Sequence, residues 1–270
     1  VLITSNTTED GNQSLYQWTE YCGSGYTVTI KPSSGAVKTL SGSLIGMGLF
    51  NIYASRVIID GRYNGSGRYL KFVNTYASSG GSENDVFKFD YFGSSSFASN
   101  DTIRYCEIVG ASTKTAGGVI YFASGCYNMN LDNNLIHGDL TNWAGNIILC
   151  DGALQSNHDI SITNNEIYNF MFWSGGTSTR AYGIRVTGNS NGSNWTITGN
   201  SFYNTNVNGQ GVQTAIDFSP GSSSTVARRL VFKFGCHGFG VRDKAVRLRA
   251  PLAALSIHNT FPNFAFGKMD

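Results

Sequence analysis

Residues 159–167 read DISITNNEI, and this stretch decides the fold. Ile160 and Ile162 alternate with Ser161 and Thr163, the period of two expected of a strand with one buried face. The Asn164-Asn165 step breaks the alternation. Asn tolerates left-handed φ and bonds its own backbone, so the step marks a tight turn before Ile167. Related phrases stand at 69–75 (YLKFVNT), 101–108 (DTIRYCEI), 129–136 (MNLDNNLI) and 195–202 (WTITGNSF). Anchored after the turn on Thr75, Cys106, Asn134, Asn165 and Asn200, they lie 31, 28, 31 and 35 residues apart. A second phrase keeps step: VFKF (86–89), VIYF (119–122), IILC (147–150), GIRV (183–186) and AIDF (215–218).

Two strand phrases sharing a period of about thirty residues mean one supersecondary unit stacked on its own copies. Each unit reads as strand, Asn turn, short strand, loop and third strand. The predicted fold is all-β: a single-stranded right-handed parallel β-helix of about six coils, over residues 27–224. In such a stack the Asn134, Asn165 and Asn200 amides form a hydrogen-bonded ladder, which Cys106 and Thr75 end on the N-terminal side. A β-sandwich is the alternative, but it requires no register between successive Asn turns. Residues 1–26 are polar and irregular. Leu15, Tyr16, Trp18 and Tyr21 cluster there at near-helical spacing, which predicts a short amphipathic N-terminal cap.

Charged residues are only 13% of the chain, well below the usual quarter. Gly, Ser, Asn, Thr and Tyr take their place. Such a surface suits sugars, which are bound by planar hydrogen bonding and ring stacking rather than by charge. Residues 1–225 hold 11 Lys/Arg against 15 Asp/Glu, so the repeat body has no basic stripe for nucleic acid. Residues 226–270 hold 8 against 2. The Asn-turn pattern stops after Ser224, and residues 225–270 form an atypical basic tail. A C-terminal cap, a basic partner-binding segment and a translation artefact compete as readings of it. The five cysteines (Cys22, Cys106, Cys126, Cys150 and Cys236) form no CxxC and are odd in number. Cys106 and Cys150, inside strand phrases, read as small buried hydrophobes. No run of 18 apolar residues predicts a membrane span. The start at Val1, without a signal peptide, is expected of a mature form or an excerpt.

The run RVIIDGRYNGSGRYLKFVNT (56–75), followed by the repeated xIxxNxI phrases, resembles the right-handed parallel β-helix proteins of the pectin-lyase-like superfamily. Its flavour is similar to that of secreted β-helix proteins of Bacteroidetes-type bacteria. The resemblance covers roughly residues 25–220. It implies a bacterial secreted or cell-surface protein, monomeric or part of a larger secreted chain, with a polysaccharide or cell-surface glycan as partner. In the enzymes of that superfamily the cleft lies over the first strand of each coil, here matched by the GIRV-type phrases.

On that strand Lys88, Arg185 and Asp217 are expected to point outward; VIYF and IILC leave the phase open, with Tyr121 a candidate for the same line and Asp151 following just past the strand. Lys88 or Arg185 beside carboxylates is a candidate base for a lyase, with Ca²⁺ neutralising a uronate. Asp151 and Asp217 are instead candidates for hydrolysis. At about 4.8 Å per coil these two would stand roughly 10 Å apart. The competing reading is a surface ion pair between Arg185 and Asp217. Trp143, Trp173 and Tyr182 are expected in or beside the longer loops, as sugar platforms or as lids over the core. The enzyme motifs are mostly missing: there is no DD step, no GHG and no DPHD. None of His137, His158, His237 and His258 has a second histidine at metal-ligand spacing. No cofactor is therefore expected outside the lyase reading. A glycan-binding or adhesin-like scaffold is the leading expectation, and a polysaccharide lyase or glycoside hydrolase the alternative.

Overall fold

The computed structural model describes residues 1–10, 13–20, 25–76, 83–93, 96–110, 117–140, 144–152, 154–171, 180–188, 191–205 and 212–219 in full. It describes the backbone alone for 220, 230–237, 244–248 and 255–257. The described chain is all-β and winds as a parallel β-solenoid of about six turns. Three sheets run along it. The first stacks Val28–Pro32, Val57–Asp60, Thr102–Arg104, Tyr127–Asp132 and His158–Thr163. The second stacks Lys38–Gly42, Leu70–Asn74, Cys106–Gly110, Leu135–Gly138 and Glu166–Tyr168. Thr196–Tyr203 continues both, bending between Thr198 and Asn200. The third holds Phe50–Ile52, Phe87–Phe89, Ile120–Phe122, Asn146–Cys150, Arg180–Gly188 and Val212–Pro220.

Register places like residues on like. In the first sheet Ile59, Ile103, Leu131, Ile162 and Ile197 form one inward column. Phe87, Ile120, Ile148, Ile184 and Ile216 form another in the third. These columns are the core, and the alternation read in DISITNNEI is what fills them.

The turn between the first and second sheets is built as follows. Tyr105, Asn133, Asn164 and Gly199 take φ values of 53–68°, and the next residue turns its side chain into the stack. Cys106 N–H donates to Asn134 Oδ1, Asn134 N–H to Asn165 Oδ1, and Asn165 N–H to Asn200 Oδ1, each at 2.9 Å. A second ladder lies at the turn from the third sheet back to the first. There Cys126 N–H donates to Asn157 Oδ1 (2.7 Å), and Asn157 N–H to Asn191 Oδ1 (3.1 Å). A cysteine heads both ladders. Cys106, Cys126 and Cys150 are buried free thiols, and burial pushes each thiol up, away from reactivity. The Cys22 and Cys236 side chains lie outside the described residues.

One expectation is corrected. Thr75 is not on the ladder, because Leu70 is the residue level with Cys106. The 61–69 loop separates the first and second strands of that turn, so YLKFVNT is a second strand and VIID the first. Near the N-terminus Leu2–Ile3, Thr7–Glu9 and Gln13–Leu15 pair parallel with the three strands of the next turn. Beyond Ser224, Leu230–His237 and Lys244–Leu248 pair parallel with the preceding strands and continue the stack. Among the described residues no helix is long and apolar enough to cross a membrane.

Candidate functional site

The outer face of the third sheet carries a column set by register: Asn51, Lys88, Tyr121, Leu149, Arg185 and Asp217. Lys88, Tyr121, Arg185 and Asp217 thus share one line. Asp151 does not. It follows Cys150, which is level with Val186 and Phe218, so Asp151 sits one place beyond the column and out of line with Asp217. Leu149, fully buried, fills the column's place on that strand and divides the column in two, and Asp151 follows just past the strand. IILC is apolar at every position, so its phase is set only by the pairing register.

In the first half, Lys88 Nζ lies 2.8 Å from Glu83 Oε2 and 3.7 Å from Asp90 Oδ2, with the Tyr121 ring centroid 5.5 Å away. Burial works against the ammonium. The Glu83 hydrogen bond and the charges of Glu83, Asp90 and Asp85 outweigh it and hold Lys88 above its ordinary value. Burial also raises Tyr121, and the charge and hydrogen bond of Asp151 raise it further. Asp85 lies beneath, fully buried. Its Oδ1 accepts Gly118 N–H at 2.8 Å and its Oδ2 has no partner among the described residues, and burial pushes the carboxyl well above the usual range. Asp90 is also raised, by burial first.

In the second half, Arg185 places its guanidinium 4.8 Å from the centroid of the Tyr182 ring. Ser219 Oγ donates to Asp217 Oδ1 at 2.5 Å. Tyr182 stands near the start of a strand. It lies within Arg180–Gly188, nearly buried and level with Asn146 and Thr214. Trp143 and Trp173 lie outside the described residues.

Three aromatic residues complete this face: Tyr16, which the sequence reading placed in the cap, and Tyr53 and Phe92, which it did not single out. Tyr53 follows the strand Phe50–Ile52, one turn before Asp90, whose charge reaches it. Tyr16 stacks on Tyr53 at 5.4 Å and 17° between planes. Phe92, on the short hairpin Tyr91–Phe92/Ser96–Phe97, meets Tyr16 edge-on at 4.8 Å. Tyr16 is 49% and Phe92 56% exposed, so this cluster presents ring surface to water. Large apolar rings exposed together are the unusual observation, since single exposed hydrophobics are ordinary. In sequence these residues fall 37 and 39 positions apart, outside the repeated phrases. Only the turn register brings them together.

The histidines are placed elsewhere. His137 stacks on Tyr168 at 4.3 Å on the second sheet, and His158 on Tyr127 at 5.3 Å on the first. Among the described residues no group of three or more His, Cys, Asp or Glu is placed to hold a metal ion. No protein-family model matches the chain, and no curated protein matches it significantly.

Proposed function

We propose that this chain is a glycan-binding module of a secreted or cell-surface protein, and that the outer face of the third sheet is its binding track. One observation carries the reading: the exposed Tyr16–Tyr53–Phe92 cluster adjoins the bank of Asp90, Lys88 and Glu83. A sugar presents a C–H face and a rim of hydroxyls. Rings accept the first and paired carboxylate and ammonium groups the second. The low charge of the chain and the pectin-lyase-like resemblance of its repeats point the same way. The two side chains best placed to act as bases are held protonated, Lys88 by its carboxylates and Tyr121 by burial and Asp151. This favours binding over proton abstraction.

A polysaccharide hydrolase is the second reading, favoured by one feature. Asp90, with its raised carboxyl, and Glu83 both reach the same Lys88 ammonium. They are the closest approach on this face to an acid and base pair.

Affinity electrophoresis through gels containing neutral or acidic polysaccharides tests the proposal. Retardation by at least one polymer is expected. Phe92→Ala and Tyr16→Ala should each weaken it by roughly fivefold, as the loss of about 1 kcal/mol per aromatic contact requires. Retention unchanged in both variants would move the binding site off this face. Polymer cleavage lost in Glu83→Gln and Asp90→Asn would establish the second reading instead.

A further inference from the structure

A separate cavity, with Leu2 and Pro32 also in its wall, opens on the outer face of the first sheet. It measures about 370 Å³ and is lined by Lys31, Asp60, Arg62, Tyr63, Asn64 and Arg104 among others. Its base is a clasp. Asp60, 2% exposed, accepts Arg62 Nε (2.9 Å) and Nη2 (2.8 Å), Arg62 N–H (3.1 Å) and Arg104 Nε (3.1 Å). One buried carboxylate thus fixes two guanidinium planes. A guanidinium carries five N–H donors. The bonds to Asp60 use Nε and Nη2 of each arginine, so the clasp itself does not use the Nη1 groups. Arg62 is steadied further by the Tyr105 ring, 4.5 Å away.

The wall is equally fixed. Tyr63 and Ser66 exchange N–H···O bonds of 3.1 and 3.2 Å around Asn64 and Gly65, which have φ values of 49° and 83°. That is a two-residue Asn-Gly turn of the type that takes positive φ at both positions. The lining charges are three cations against one carboxylate. Asp132, the next carboxylate along the sheet, is occupied by Thr163 Oγ1 (2.7 Å), Asn164 Nδ2 (3.1 Å) and Asn133 Nδ2 (2.8 Å).

We propose that this cavity recognises the oxyanion of an acidic sugar residue, carboxylate or sulfate, between Arg62, Arg104 and Lys31, with the Tyr63 ring against the sugar. Planar guanidinium forks match both oxyanions, and a preformed clasp loses little side-chain freedom on binding. The volume lies at the small end of ligand pockets, in keeping with one saccharide unit. The site is on a different sheet from the aromatic track and stands without it.

Titration calorimetry at low salt with glucuronate, glucose 6-sulfate, glucose and inorganic sulfate tests the assignment. At least one acidic sugar should bind, and glucose should bind at least about tenfold more weakly. The response of the two acidic sugars distinguishes carboxylate from sulfate. Arg104→Gln and Lys31→Gln should each weaken the acidic sugar by about fivefold or more. Lys31 is exposed, so Lys31→Gln reports on the site even if Arg104→Gln disturbs the clasp. Three results would each overturn the proposal: equal binding of glucose, no binding of either acidic sugar at roughly 10 mM, or a Lys31→Gln protein that binds like wild type. Inorganic sulfate binding as tightly as the sugars would overturn recognition of the sugar itself.

Discussion

Replacing Asn165 by alanine removes the middle of the first ladder, and its cost can be worked from the bonds. Asn165 Oδ1 accepts Asn134 N–H at 2.9 Å and Asn134 Nδ2 at 3.1 Å. Its Nδ2 donates to Leu131 O at 2.9 Å and Asn200 Oδ1 at 3.0 Å. Two of these partners are insured: Asn134 Nδ2 also reaches Ile103 O, and Asn200 Oδ1 also accepts Asn165 N–H. The Asn134 N–H and the Leu131 carbonyl lose a bond in a dry interior. At about 1–3 kcal/mol for each buried group left short, with a further term for the cavity, the loss is roughly 3–5 kcal/mol. A domain is ordinarily stable by about 5–15 kcal/mol. Urea unfolding followed by far-ultraviolet circular dichroism measures the change. Ser161→Ala, on the outer face of the same turn, is the control and should stay within about 0.5 kcal/mol. A loss under about 1 kcal/mol for Asn165→Ala would refute the reasoning, because the ladder would then be ornamental.

Asp101 gives a pH test. Its Oδ1 accepts Val57 N–H at 2.8 Å, its Oδ2 has no partner among the described residues, and burial pushes the carboxyl up to about 8. The folded state therefore holds this proton more tightly than the unfolded chain. The stability it contributes is fully present below the unfolded value of about 4 and is lost as pH rises through the folded value. Asp101→Asn keeps an acceptor for Val57 and cannot ionise, so its melting temperature should gain on wild type between about pH 5 and pH 9. A pH-independent difference would contradict the assignment. Gly152→Ala should destabilise by roughly 3 kcal/mol or more, because a Cβ there would overlap the Ala123 carbonyl oxygen. Gly35→Ala, whose Cβ would meet Tyr63 at an ordinary 3.6 Å, should unfold near the wild-type midpoint.

The fold was legible because the solenoid repeats its physics in sequence. Asn133-Asn134 and Asn164-Asn165 write the turn and the ladder directly, and the strand alternation before them writes the core. Thr75 was misplaced because the 61–69 loop lengthens one turn and lets a second-strand phrase mimic a first. The ladder of Asn157 and Asn191 escaped notice because each stands in a different local context, although the 34-residue spacing was available.

The site was less legible. Lys88, Arg185 and Asp217 follow from alternation, and Tyr121 is placed on their line by register. The residues that give the face its character come from outside the repeats: Glu83 and Asp90 flank a strand, Tyr16 and Tyr53 follow strands one turn apart, and Phe92 lies on an inserted hairpin. Side chains that meet only through stacking of successive turns leave no periodic trace.

The most direct measurement incubates the wild-type protein with each polysaccharide of the panel, reading retention in the gel and, in the same samples, new reducing ends and unsaturated products. The account predicts retention by at least one polymer with no product of either kind, and a loss of that retention in Phe92→Ala. Product release that survives purification and disappears in Glu83→Gln would contradict it and make the face a catalytic one.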